Sequence, residues 1–167
     1  GEFEEAFGHY GIARDRIVEK NETSKTLTEP ADRQIRELVF LHGGQSAAQQ
    51  KDWKTAISWY DELLKRFPET SYLAQALYET GFAYQQAGDE DKALKFFEKV
   101  STDYRNETAA RSRFMIGEIY FGKRDLAKAI PEFQRVMYGY GAEKAEPSIK
   151  NWQAKSAFEA GRCAELM

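Results

Sequence analysis

Apolar residues recur along the chain at intervals of three and four, the spacing that gathers them on one side of a helix. Residues 1–20 place Phe3, Ala6, Phe7, Tyr10, Ala13 and Ile17 on related faces and predict a first helix. Gly1-Glu2-Phe3 fits either the start of that helix or a cloning remnant. Residues 21–28 (NETSKTLT) are polar and aperiodic, and read as a loop. Pro30 suits the first turn of the next helix, where its missing N–H costs no hydrogen bond. That helix is expected to reach about Gln50, with Ile35, Leu38, Val39 and Leu41 as its apolar stripe. Asp52 starts another, burying Trp53, Ile57, Tyr60 and Leu64, and Pro68 ends it. A final helix, about Ser148 to Leu166, carries Trp152, Ala157, Phe158 and Ala160.

Residues 74–106 predict two short amphipathic helices hinged at Gly88, with Asp89 capping the second and Glu90 and Asp91 in its first turn. Gly81 and Ala93 sit where the two helices must touch, flanked by Leu77, Tyr84, Leu94, Phe97 and Val100. A close antiparallel crossing has no room for a branched side chain at its nearest point. The set recurs. Gly44, Ala56, Tyr60, Leu63 and Pro68 hold the same relative places, with Gly44 37 residues before Gly81. Gly117, Tyr120, Ala129, Phe133 and Val136 repeat it, with Gly117 36 residues after Gly81. A fourth start stands at Gly161 and Ala164, before the chain stops at Met167. Gly43-Gly44 inside a helix cost about 1 kcal/mol each relative to alanine, so close packing is expected to offset them. A phosphate-binding turn would need a preceding strand and further glycines.

A glycine, a tyrosine three later, an alanine twelve after the glycine and a phenylalanine four beyond that resemble the tetratricopeptide repeat. The resemblance implies an all-α fold, a right-handed superhelix of antiparallel helix pairs (an α-α solenoid). On that reading residues 1–167 are a single array from a larger protein. Residues 1–20 are a partial repeat or N-terminal helix, 30–70, 71–107 and 108–141 are repeats, and 147–167 are the first helix of a further one. Spacings of 36 and 37 exceed the family's usual repeat of about 34. The joints FPETSYLAQALYETG and YRNETAARSRFMIG resemble those of bacterial envelope tetratricopeptide-repeat proteins, the Tol-Pal-associated YbgF/CpoB family and the outer-membrane assembly lipoprotein BamD. That likeness, over about Glu37 to Gln134, implies a periplasmic or cell-envelope location with a leader or anchor upstream; the alternative is cytoplasmic. Pro131 departs from the pattern and is expected to kink the second helix of its repeat or delay its start. Tyr138 and Tyr140, in the loop after Val136, are expected to fold back on the repeat.

Composition narrows the function classes. A net charge of −3 over 167 residues gives no basic face for nucleic acid. No apolar run reaches the length of a membrane span. The single cysteine, Cys163, excludes an intrachain disulfide and, with no histidine near it in sequence, reads as a small half-buried hydrophobe rather than a nucleophile. His9 and His42 are the only histidines, neither has metal-ligand spacing to other donors, and His42 reads as a helix-surface residue. Asn106-Glu107-Thr108 and Asn21-Glu22-Thr23 match the glycosylation sequon, and the first of these reads as a helix cap. No catalytic residue, metal or cofactor is expected, so the chain reads as a non-enzyme.

The resemblance implies a protein-interaction scaffold that holds a partner's peptide or helix against the concave wall formed by the first helix of each pair. The alternative is a self-association module whose uncapped ends stack copies into homo-oligomers. Counting the repeat glycine as place eight, the family's ligand-facing places are two, five, six, nine, twelve and thirteen. They fall on Tyr78, Phe82 and Gln85, on Arg111, Phe114, Glu118 and Phe121, and on Lys155, Phe158 and Arg162. Aromatics with a few charges suit a peptide with apolar anchors; the competing expectation is that these rings cover neighbouring helices.

Overall fold

A computed structural model describes residues 2–167, with side chains described from residue 4 onward. Gly1 and the side chain of Phe3, placed above on the first helix, lie outside that description. Among the described residues there are eight α-helices and no strand. These are α1 (Glu2–Glu19), α2 (Pro30–Gln49), α3 (Trp53–Arg66), α4 (Leu73–Gln86), α5 (Glu90–Asp103), α6 (Glu107–Gly122), α7 (Leu126–Tyr138) and α8 (Pro147–Glu165). They fall into two compact units, Gly1–Asp89 and Glu90–Met167. Within each, successive helices pack one on the next, as in an α-solenoid. The first unit stacks α1 on α2, α2 on α3 and α3 on α4. The second stacks α5 on α6, α6 on α7 and α7 on α8, and brings α6 against α8.

One turn recurs between paired helices. Lys51, Gly88 and Arg124 are left-handed (φ 60, 85 and 61°), and the next residue's N–H reaches back five residues: Asp52 to Ala47, Asp89 to Tyr84, Asp125 to Tyr120. This is the hydrogen-bonded helix stop that glycine favours, and Lys51 and Arg124 adopt it at a cost of about 1–2 kcal/mol each. The following aspartate restarts the chain as helix. Asp52 accepts from the Thr55 N–H at 3.1 Å and Asp125 from the Lys128 N–H at 3.3 Å; the Thr55 hydroxyl and the Lys128 ammonium, helped by these backbone bonds, hold the two carboxyls below their usual range. Asn106 caps α6 by accepting from the Ala109 N–H at 3.0 Å, the role its position suggested. Pro30 opens α2 as expected.

The core of the first unit differs from the predicted stripes. Phe40 and Leu41 are buried on α2 while Ile35 is 53% exposed. On α3 the fully buried residues are Ala56, Trp59, Tyr60 and Leu63, and Trp53, Ile57 and Leu64 pack half-buried around them. The cause is the number of neighbours. Helix α2 touches α1, α3 and α4, so its buried positions wrap round more than one stripe. The glycines also have different partners from those expected. A β-carbon on Gly44 would lie 2.3 Å from the Tyr60 ring and one on Gly117 2.5 Å from the Phe133 ring, with Gly43 set 2.3 Å from Trp59. At Gly44 and Gly117 the missing side chain therefore makes room first for the aromatic four residues beyond the alanine.

In the second unit Ala110, Phe114, Ala129, Phe133, Val136, Ile149 and Cys163 form the core. Cys163 is fully buried rather than half-buried, and burial pushes its thiol up. Tyr140 folds back: its hydroxyl lies 3.3 Å from the Ala109 carbonyl and 3.2 Å from the Arg113 Nε. Tyr138 does not, at 72% exposed. Pro131 sits inside α7, which still starts at Leu126, directly after its Asp125 cap. The proline removes only the hydrogen bond to the exposed Ala127 carbonyl, which water can serve. His42 is exposed, with its Nδ1 2.9 Å from the Gln45 Oε1.

Candidate functional site

In the first unit α2, α3 and α4 enclose a cleft of about 390 Å³ lined by Gln45, Ala48, Gln49, Trp53, Glu79 and Phe82. Its apolar wall is a ring pair. Trp53, the first residue of α3, meets Phe82 of α4 edge to face at 6.1 Å and 84°. Behind it Phe82 stacks on Tyr78 at 6.3 Å and 17°, and Tyr78 is only 2% exposed. Tyr78 is thus the backing of the wall rather than a part a ligand could reach. Gln85 lies one turn further along α4; its Oε1 is buried and has no hydrogen-bond partner among the described residues.

The second unit brings its sequence-predicted residues together between α6 and α8. Phe114 is buried between Phe133 (5.5 Å) and Trp152 (5.4 Å), and so serves the core and not an open wall. The Arg111 guanidinium lies 5.5 Å from the Trp152 ring and Lys155 Nζ 4.2 Å from it. Arg162, held by both Glu159 oxygens at 3.0 and 2.8 Å, covers the Phe121 ring at 4.9 Å and stands 5.9 Å from Phe158. These cations occupy ring faces of their own unit. Phe158 remains open at 67%. Glu118 stands beside Glu159 and Arg162; burial, then the neighbouring Glu159 charge, raises its carboxyl above the usual range.

Five lining residues of the first-unit cleft were not anticipated. Counting from Gly44 as place eight puts Gln45, Ala48 and Gln49 at places nine, twelve and thirteen, and the same count from Gly81 puts Glu79 at place six. The signal was therefore present in the register. Trp53 had no such signal, because it belongs to the second helix of its pair.

Residues 43–106 and residues 110–138 each match a family described as the tetratricopeptide repeat. The chain carries tetratricopeptide repeats. Together the two matches span more than half of its residues and cover α3 to α7, with the glycine-bearing end of α2. No curated protein matches the chain. Tetratricopeptide repeats mediate protein–protein interaction and are typically non-catalytic scaffolds. Among the described residues no group of His, Cys, Asp and Glu could hold a metal ion, and no helix is long and apolar enough to cross a membrane.

Proposed function

We propose that the chain holds a partner's peptide through the first-unit cleft, with an apolar side chain of that peptide anchored on Trp53 and Phe82. The observation that carries this is the edge-to-face ring pair at the mouth of a cleft whose other side is glutamine. Rings supply most of the binding energy at such interfaces, and glutamine amides both donate to and accept from a peptide backbone. Tetratricopeptide repeats that grip carboxylate tails use lysine, asparagine and arginine, and this cleft has none of them among its lining residues. An apolar or amphipathic peptide suits it better. The setting we propose is the bacterial cell envelope, supported by the likeness of the joints between repeats to those of envelope proteins.

The test is selection from a random peptide library displayed on phage. Selected peptides should share an aromatic or branched apolar residue. Trp53→Ala with Phe82→Ala should weaken their binding by at least about tenfold, the loss of one anchor, while a Gln134→Ala control leaves it unchanged. Peptides that bind the double variant as tightly as the parent would refute the cleft as the site.

A further inference from the structure

The cleft of the first unit offers hydrogen-bond donors and almost no acceptors. His42, one turn before Gln45 on α2, is exposed and sets its Nδ1 2.9 Å from the Gln45 Oε1. An amide oxygen only accepts, so the imidazole N–H donates and the Gln45 oxygen is occupied. The Gln45 NH2 is what remains to face the cleft that this residue lines. The Trp53 indole N–H is a donor only, and it meets no acceptor among the described residues. On the acceptor side, Glu79 already has a partner within the chain, and Gln49 stands exposed at the rim. Ala48 and Phe82 complete the lining and carry no polar side-chain atom.

A peptide entering such a site can keep its carbonyls bonded but strands its N–H groups. A buried N–H without an acceptor loses its bonds to water and gains none, whereas a carbonyl facing Gln45 or Trp53 is served. Proline has the carbonyl and lacks the N–H. Proline-rich segments also hold their extended left-handed helix before binding, so docking orders them little, and they settle on grooves lined by aromatic rings. Trp53 and Phe82, set at 84° to each other, give such a lining.

We propose that the segment held by the cleft is proline-rich, its apolar anchor on Trp53 and Phe82 being flanked by prolines. Carbonyls of that segment accept from the Trp53 indole N–H and the Gln45 amide. His42 is a positioning residue, keeping the donor end of Gln45 turned inward. The inference rests on the cleft as the peptide site and adds the chemistry of the occupant.

Two capped synthetic peptides test it, one with a leucine flanked on both sides by prolines and one with alanine at every proline. Heteronuclear NMR follows the tryptophan indole N–H signals, with that of Trp53 assigned by its loss in Trp53→Phe. The proline peptide should move the Trp53 signal and leave those of the buried Trp59 and of Trp152 in place. It should bind at least about tenfold tighter than the alanine analogue, the effect of one stranded N–H. His42→Ala, on the surface, frees the Gln45 amide to turn its oxygen inward, so the preference should shrink by about threefold or more while the proline peptide still moves Trp53. An alanine analogue that moves Trp53 and binds as tightly as the proline peptide overturns the proposal and leaves the cleft standing. So does a proline peptide that leaves Trp53 unmoved while phage-selected peptides move it. If neither synthetic nor selected peptides move Trp53, the cleft falls as well. An undiminished preference in His42→Ala overturns the role given to Gln45.

Discussion

Alanine placed at two glycines of the same kind should act in opposite directions. At Gly117 the added β-carbon falls 2.5 Å from the Phe133 Cε1 and 2.8 Å from its Cδ1 and Cζ. Comfortable carbon contacts lie at about 3.5–4.0 Å, so the ring must retreat by roughly 1 Å. It has little freedom to do so, being fully buried and tilted on Phe114 at 5.5 Å. Overpacking of this kind costs about 1–3 kcal/mol, against a helix-propensity gain of about 1 kcal/mol for replacing glycine. Gly117→Ala should therefore be neutral to about 2 kcal/mol destabilising. At Gly161 the same change meets no neighbour, so only the gain remains. The two variants should differ by about 1–3 kcal/mol, on the order of 5 °C in melting temperature for a chain of this length. Urea unfolding followed by circular dichroism, at low concentration so that association contributes nothing, gives both values with one slope. If the two alanines shift the midpoint equally and in the same direction, the aromatic-over-glycine contact does not organise the repeat.

Two further outcomes follow from buried carboxylates. Glu37 is 5% exposed and accepts from the Thr70 hydroxyl at 2.9 Å, so Thr70→Val should cost about 1–3 kcal/mol; a urea midpoint equal to the parent's would show that this bond contributes nothing. Glu118 has its carboxyl raised by burial and by Glu159, so its contribution is present at acid pH and is lost as pH rises from the ordinary glutamate range through the raised value. Glu118→Gln should thus be more stable than the parent at neutral pH, with the gap closing in acid, and a gap independent of pH across that window would refute the assignment.

The repeats were legible because each uses the same hairpin, and the glycine, alanine and aromatic recur in register at Gly44, Gly81 and Gly117. The interiors were less so. A helix on the surface of a globule has one apolar stripe, but α2 has three neighbours, and the buried Phe40 and the exposed Ile35 cannot be told apart by period alone. Trp59 was missed for the same reason: its room comes from Gly43, a close approach visible only once both helices are placed. The turns at Lys51 and Arg124 gave no sign of left-handed backbone, since only Gly88 carries the residue that this conformation favours.

The site divides along the same line between register and environment. Tyr78, Phe114 and Phe158 all occupy place five of their helices, yet the first two are 2% and 9% exposed and the third 67%. A place in the repeat decides which way a side chain points, and what covers it depends on the next helix over. Phe114 is covered because Trp152 of α8 lies on it; Phe158, at the same place in α8, has no such ring above it among the described residues. The cleft of the first unit shows the converse. Gln45 and Gln49 look like ordinary solvated helix positions, and line a cleft only because Trp53, just after the left-handed turn at Lys51, sets its ring against Phe82 of α4. The ring pair is thus made by the hairpin turn rather than by the helix face that the family's ligand-facing places describe, which is why counting places from the repeat glycine finds Phe82 and leaves Trp53 out.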